Sequence, residues 1–393
     1  MLYTICSTSR RYFMWSFLFF LLTCSNVLFS ELPPGIVITH SCANTGIYIG
    51  SPGIVIVRDG IYLAKHDEFG PMSTEHSLAV THVYRSEYKG LSWKRIATIK
   101  GMFWASIFKY NDEIYMLGTD RHHGNIVIRK SDDEGWTWTE PISKKSGILD
   151  SAQYHTAPVP VIEFNGRIWR AFEDAMGSDK WGDRYRAFVM SAPIGSNLLD
   201  SESWTFSNCI PKSKDWLNGE FYGWLEGNVI PTPDGKLVNM LRVDTKIGGK
   251  SAIISISDDG KRISFDPQTG FVDFNGGTTK FTIRFDEQTK RYWTLCNWPS
   301  PEQIKERHPA RVRNTLVLAS SLDLKEWKLC KTILYHPEMD KHGFQYADWV
   351  FENEDIIAVV RTAYDDDFGG ANNFHDANYL TFHRIENFRS TCK

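Results

Sequence analysis

The sequence predicts an all-β fold, a six-bladed β-propeller of four-stranded antiparallel blades. Three observations predict it: a hairpin pattern that recurs six times, a second turn motif beside it, and no sustained helical periodicity. The hairpins read RDGIYLAKH at Arg58, NDEIYMLGT at Asn111, NGRIWRAFE at Asn165, PDGKLVNML at Pro233, TKRYWTLCN at Thr289 and NEDIIAVVR at Asn353. In each, turn residues lead into an apolar or aromatic strand. The middle turn residues, at 60, 112, 166, 235, 290 and 354, lie 52, 54, 69, 55 and 64 apart, a spacing that suits one blade with its loops.

Composition narrows the function classes. The chain has 393 residues and a formal net charge of −3, so it lacks the basic excess that would point to nucleic acid. Its 14 Trp residues suit either a large β core or sugar-stacking surfaces. Arg10-Arg11, the apolar run from Tyr12 to Thr23 and the polar, Pro-rich Glu31-Leu32-Pro33-Pro34 have the layout of a secretory signal peptide. The expected division is therefore a signal at 1–30 and a propeller at 31–393, in a protein that is secreted, periplasmic or at the cell surface. Leu21-Leu22-Thr23-Cys24 also resembles a lipoprotein signal that would lipidate Cys24. No later segment approaches the ~18–20 apolar residues of a membrane span. Cys42, Cys209, Cys296, Cys330 and Cys392 allow a bridge without requiring one, and form no metal-binding CxxC pair. No cofactor or metal is expected. The acidic run Asp365–Asp367 offers oxygen ligands for Ca²⁺ but lacks an EF-hand spacing.

The second motif is SDDEGWTW at Ser131–Trp138. SEYKGLSW at Ser86–Trp93 matches it apart from Tyr88, and SISDDGK at Ser255 and SSLDLKEW at Ser320 are degraded copies. The pattern S-x-D-x-G-x-x-W resembles the Asp-box of the sialidase superfamily. Physically it is a turn: Ser and Asp bond its backbone, Gly supplies positive φ, and Trp packs on the blade.

The stretch LEGNVIPTPDGKLVNMLR, from Leu225 to Arg242, opens on a glutamate and closes on an arginine, which a hairpin alone does not need. It resembles the sialidase hairpin that places both charges on the propeller axis. RNTLVLASSLDLKEW puts Arg313 where that family has a substrate-binding arginine, and HGFQYADWVFENEDIIAVVR puts Tyr346 where it has its nucleophilic tyrosine. The resemblance spans roughly residues 48–361. It implies a retaining exo-glycosidase acting on a terminal, acidic sugar of a glycan, with Tyr346 and Glu226 as nucleophile and base and Arg242 and Arg313 as carboxylate binders. A neutral tyrosine can approach an anomeric carbon that bears a carboxylate without charge repulsion, but needs a base because its reference pKa is near 10. The loop HDEFGPMSTEH lies where the family carries its acid/base and offers Asp67, Glu75 and His76, with Asp67 slightly preferred.

The sequence departs from the family at Tyr48-Ile49-Gly50-Ser51-Pro52, where an Arg-Ile-Pro motif would carry the first of three clamping arginines. Arg58 and Arg361 are the arginines considered as replacements, and a different sugar, acidic or neutral, becomes a live reading. Further polar clusters lie outside the family pattern: Tyr154 and His155 in DSAQYHTAPVPV, Glu173 at the end of the third hairpin, and Asp365, Asp366, Asp367, His375 and Asp376 in the late loop. His155, Glu173 and Asp376 are read as substrate-binding residues, and Trp104 and Trp224 as rings able to stack a sugar. A lyase working through Tyr154/His155 on uronate glycans, or a non-catalytic glycan-binding propeller, are the alternatives.

Overall fold

The computed structural model describes residues 32–392. Their strands form six antiparallel sheets, each built on a path of four strands and arranged as the blades of a propeller. Two of the sheets carry one extra short strand. The expected signal peptide and Cys24 lie outside the described residues. Among the described residues, no helix is long and apolar enough to cross a membrane.

The six recurrent hairpins join the innermost strand of each blade to the second, as the pairs Arg58↔Ile61, Tyr110↔Glu113, Phe164↔Arg167, Pro231↔Leu237, Asp286↔Arg291 and Glu352↔Asp355 show. Their turns reverse the chain through left-handed residues, among them Gly60, Asp112, Gly166, Gly235, Lys290 and Asn353. The third blade departs from the pattern. Its inner strand is split into Tyr154–His155 and Ile162–Phe164, both paired with Arg167–Asp174. Pro158 and Pro160 stand in the gap, and proline has no N–H to give the ladder.

The ring closes on itself. The sixth blade runs Gly343–Glu352, Asp355–Ala363, Tyr379–Ile385, and its outermost strand is the N-terminal Ile36–His40. Beyond it, Cys330 on the outer strand of the fifth blade is bridged to Cys392. One apolar cluster fills each of the six interfaces between neighbouring blades. Four tryptophans contribute most volume: Trp293 and Trp349 between blades five and six, Trp169 and Trp224 between blades three and four, all fully buried.

The Ser131–Trp138 turn joins the third and fourth strands of its blade. Ser131 Oγ accepts from Gly135 N (2.8 Å), Asp133 Oδ1 accepts from Thr137 N (2.9 Å), and Trp138 Nε1 donates to Gly135 O (3.0 Å). In Ser86–Trp93 the same serine and tryptophan bonds recur. These turns lie at the end of the blades away from Glu226 and Tyr346.

Candidate active site

Four of the six innermost strands carry an irregularity near their starts. The register slips between Gly50 and Gly53, Phe103 and Ser106, Leu225 and Gly227, and Gln345 and Asp348. Inside each slip one residue is left-handed: Ser51 (φ 41°), Trp104 (51°), Glu226 (50°) and Tyr346 (54°). A bulge re-aims its side chain, at a backbone cost of about 1–3 kcal/mol for a non-glycine residue. Placed at corresponding ends of four strands around one axis, the bulges gather Trp104, Glu226 and Tyr346 at one mouth of the ring.

Tyr346 OH donates to Glu226 Oε1 (2.9 Å), and Arg242 Nη1 reaches both Glu226 Oε2 (2.9 Å) and Tyr346 OH (3.4 Å). Arg242 Nε is held by Thr278 O (3.0 Å). Burial alone would raise the pKa of Glu226. The charge and hydrogen bond of Arg242, the charge of His155 and the Tyr346 hydroxyl outweigh it and hold the carboxyl below its ordinary value. An ionised carboxylate therefore faces the phenol.

Two more arginines flank Tyr346. Arg313 Cζ lies 5.7 Å and Arg361 Cζ 5.3 Å from its ring centroid. Arg313 donates to Ala310 O (3.0 Å) and to Gln345 Oε1, and Arg361 to His375 O. Among the described residues neither has a carboxylate within ion-pair distance, and Arg361 Nε is buried without any hydrogen-bond partner. Burial, followed by the charges of Arg242 and Arg361, pulls the Arg313 pKa down to about 10. Burial lowers that of Arg361. Such a concentration of uncompensated positive charge is costly unless an anion completes it.

Arg361 lies against the first blade, beside Tyr48 and Phe69. A Cβ at Gly50 would come within 1.9 Å of the Phe69 ring, so no side chain fits there. That same ring, 5.2 Å from Arg361 Cζ, and Tyr48 at 5.5 Å support the guanidinium arriving from the sixth blade. Arg58 lies at the far end of its strand, bonded to Glu134 (2.9 Å).

Blades two and three form the opposite wall. His155 and Glu173 are direct cross-strand partners, with His155 Nδ1 3.0 Å from Glu173 Oε2. Glu173 Oε1 accepts from Gly227 N (3.3 Å), which ties this pair to the Glu226 bulge. Trp104 packs edge-on against His155 (4.8 Å) and His122 (4.9 Å), and Tyr185 lies 4.3 Å from His155. His122, His123, Tyr185 and Arg184 escaped the sequence reading. The RHHGN loop follows the second hairpin strand, but nothing local in the sequence aims it at the axis.

Other expected site residues sit differently. Asp67 is sealed: it accepts from Lys65 Nζ (3.1 Å), Thr81 Oγ1 (2.7 Å) and Trp104 N (2.7 Å), with no side-chain surface exposed. It supports the Trp104 bulge from beneath. Glu75 is bound to His123 Nδ1 and Arg184 Nη1 (3.2 Å), and His76 is exposed on the rim. Trp224 is packed among Trp216, Phe221 and Phe265 in the blade interface, where no sugar reaches it. Asp376 bonds its own loop through His375 Nδ1 (2.9 Å) and Asn373 (2.9 Å), and Asp366 is held by His40 Nε2 (2.8 Å) and Asn378 (3.0 Å). Tyr154 donates to Asp150 and buries its ring between blades two and three.

Among the described residues, two groups bring histidine and glutamate together at metal-ligand spacing, Glu75/His122/His123 and His336/Glu338/His342. In the first, His123 already uses Nδ1 for Glu75 and Nε2 for Tyr185 (3.0 Å). In the second, His342 Nδ1 is bonded to Glu338 (2.6 Å). Two cavities, of about 730 Å³ and 680 Å³, lie off the Tyr346 centre: one on the first-blade rim beside Glu68 and His76, the other between the far ends of blades three to six.

No protein-family model matches the chain, and no curated protein matches it in sequence. Solved structures do match in shape. A protein of unknown function from Dyadobacter fermentans aligns with a TM-score of 0.59 at 12% identity, covering 90% of this chain and 100% of that one. The Hadza microbial sialidase Hz136 aligns at 0.58 and 15% identity, over 90% of this chain and 68% of its own. The α-L-arabinanase of Penicillium chrysogenum, complexed with arabinobiose, aligns at 0.53 and 11% identity, over 91% and 98%. The fold of this chain is therefore the propeller on which sialidases and an arabinanase are built.

Proposed function

We propose that this protein is a retaining exo-glycosidase that removes a terminal acidic sugar from extracellular glycans, with Tyr346 as nucleophile, Glu226 as its base and Arg242, Arg313 and Arg361 as the carboxylate clamp. The observation that carries this reading is one cluster: a phenol hydrogen-bonded to a buried carboxylate, flanked by three buried arginines of which two, among the described residues, have no carboxylate within ion-pair distance. In the first step Tyr346 oxygen would bond to the anomeric carbon while its proton passes to Glu226 and the leaving oxygen takes the electron pair of the broken glycosidic bond. Water then attacks the same carbon, and Tyr346 leaves with its proton returned. Arg242 favours the phenolate-like oxygen and, with the other two, matches a planar carboxylate through paired N–H donors.

The structural neighbours are named for an acidic-sugar and a neutral-sugar hydrolase. Arg313 and Arg361 favour the acidic class, because a neutral pentose would leave their charge uncompensated. A lyase finds less support, since the Tyr154 hydroxyl is engaged by Asp150 away from the mouth. The test is product release from sialosides, other keto-acid glycosides, uronate polysaccharides and arabinofuranosides. Wild type should release a keto-acid sugar, and Tyr346→Phe should lose at least ~10³-fold of that rate. Undiminished turnover by folded Tyr346→Phe, or release of arabinose alone, would defeat the proposal.

A further inference from the structure

The Tyr346 centre lacks one component, a group that protonates the departing oxygen and later deprotonates water. Four of the carboxylates near the mouth are already committed. Asp67 is enclosed by Lys65, Thr81 and the Trp104 amide, Glu75 by His123 and Arg184, and Asp376 by His375 and Asn373. Glu68 accepts from His82 Nε2 (2.7 Å) on the rim.

His155 differs. Its Nδ1 is fixed by the fully buried Glu173, while among the described residues its Nε2 makes no hydrogen bond and the side chain keeps 10% of its surface exposed. Its ring is clamped between Trp104 and Tyr185, so the direction of Nε2 is set by packing. Its position across the mouth from Tyr346 is set by the backbone: Glu173 Oε1 holds Gly227 N, next to the Glu226 that takes the Tyr346 hydrogen bond.

Resting on the glycosidase reading above, we propose that His155 is the acid/base of the reaction and that Glu173 is its positioning residue. In the first step imidazolium Nε2 gives its proton to the glycosidic oxygen as the bond to the anomeric carbon breaks and the electron pair goes to that oxygen. In the second, neutral Nε2 takes a proton from the attacking water, whose oxygen bonds to the anomeric carbon as Tyr346 departs. Glu173 keeps Nδ1 protonated throughout, so the reacting lone pair is always on Nε2. The charged or titratable groups around this imidazole are Glu173 on its own sheet, His122 and His123 on the second blade, Tyr185 on the third and Glu226 on the fourth.

The test compares wild type, His155→Ala and Glu173→Gln on aryl keto-acid glycosides whose phenols span a wide range of acidity, with circular dichroism confirming the fold. His155→Ala should lose about 10²–10⁴-fold of kcat/KM on poorly acidic leaving groups and little on the most acidic phenol, which leaves without protonation. Glu173→Gln should show the same leaving-group dependence more weakly, since the imidazole loses the carboxylate that orients it. A uniform loss across all phenols, or none, from folded His155→Ala overturns the acid/base role while leaving the Tyr346 reading intact. Failure of wild type on every keto-acid glycoside overturns both.

Discussion

The two walls of the axial mouth are built by one backbone device and filled with opposite chemistry. On one wall the bulges of blades four and six present Glu226 and Tyr346 to three arginines. On the other, the bulge of blade two presents Trp104 to His122 and His155, with Glu173 behind. The same left-handed turn that aims the Tyr346 phenol at one place packs an indole against imidazoles at the other. The backbone therefore supplies position, and side-chain identity supplies chemistry. The permanently charged wall is suited to holding an anion, and the titratable wall to moving protons.

That contrast can be broken at its foundations first. Asp67 and Lys65 form a fully buried pair under Trp104. Asp67→Asn should cost about 3–5 kcal/mol of unfolding free energy in chemical denaturation, because it leaves a buried ammonium unpaired. The variant that remains folded should keep its kcat within a few-fold. A thousandfold fall in kcat without loss of stability would return Asp67 to the role its sequence position suggested. Next comes the anion wall: Arg361→Met should lose about 2–5 kcal/mol of transition-state binding for a keto-acid glycoside, read as kcat/KM, and nothing on a neutral glycoside. Equal losses on both would mean that Arg361 supports the fold and binds no substrate. The smallest effect belongs to the end of the blades away from the site. Asp133→Ala removes the three bonds that Asp133 makes in the Ser131–Trp138 turn and should cost about 1 kcal/mol of stability with activity unchanged.

Much of the fold was legible because its turns are local. An Asp-Gly or Asn-Gly pair needs only its own residues to declare a reversal, and the six hairpins recur at the inner edge of every blade. The Glu226 and Arg242 relation was legible for the same reason, since Leu225 faces Arg242 across one ladder. What escaped was spatial rather than local. Arg361 approaches Tyr346 because Gln345 and Arg361 are cross-strand partners, and its room is defined by Phe69 from another blade. No spacing in the chain states that contact. Asp67 misled because alternation along its strand does not say which polar face is sealed by the next blade. Trp224 misled because an indole in a blade interface and one lining a sugar site share the same sequence context. Trp216 and Phe265, which enclose it, come from separate segments.

The central claim, that Tyr346 becomes covalently attached to a keto-acid sugar, is tested most directly by trapping that attachment. Wild type would be mixed with an activated keto-acid glycoside carrying fluorine beside the anomeric carbon, which slows release from the protein. Peptide mass spectrometry would then locate the adduct. The prediction is one sugar per chain on Tyr346, absent from Tyr346→Phe and strongly reduced in Glu226→Gln. A stable adduct on Glu173 or any other side chain, or continued turnover by Tyr346→Phe, would contradict it.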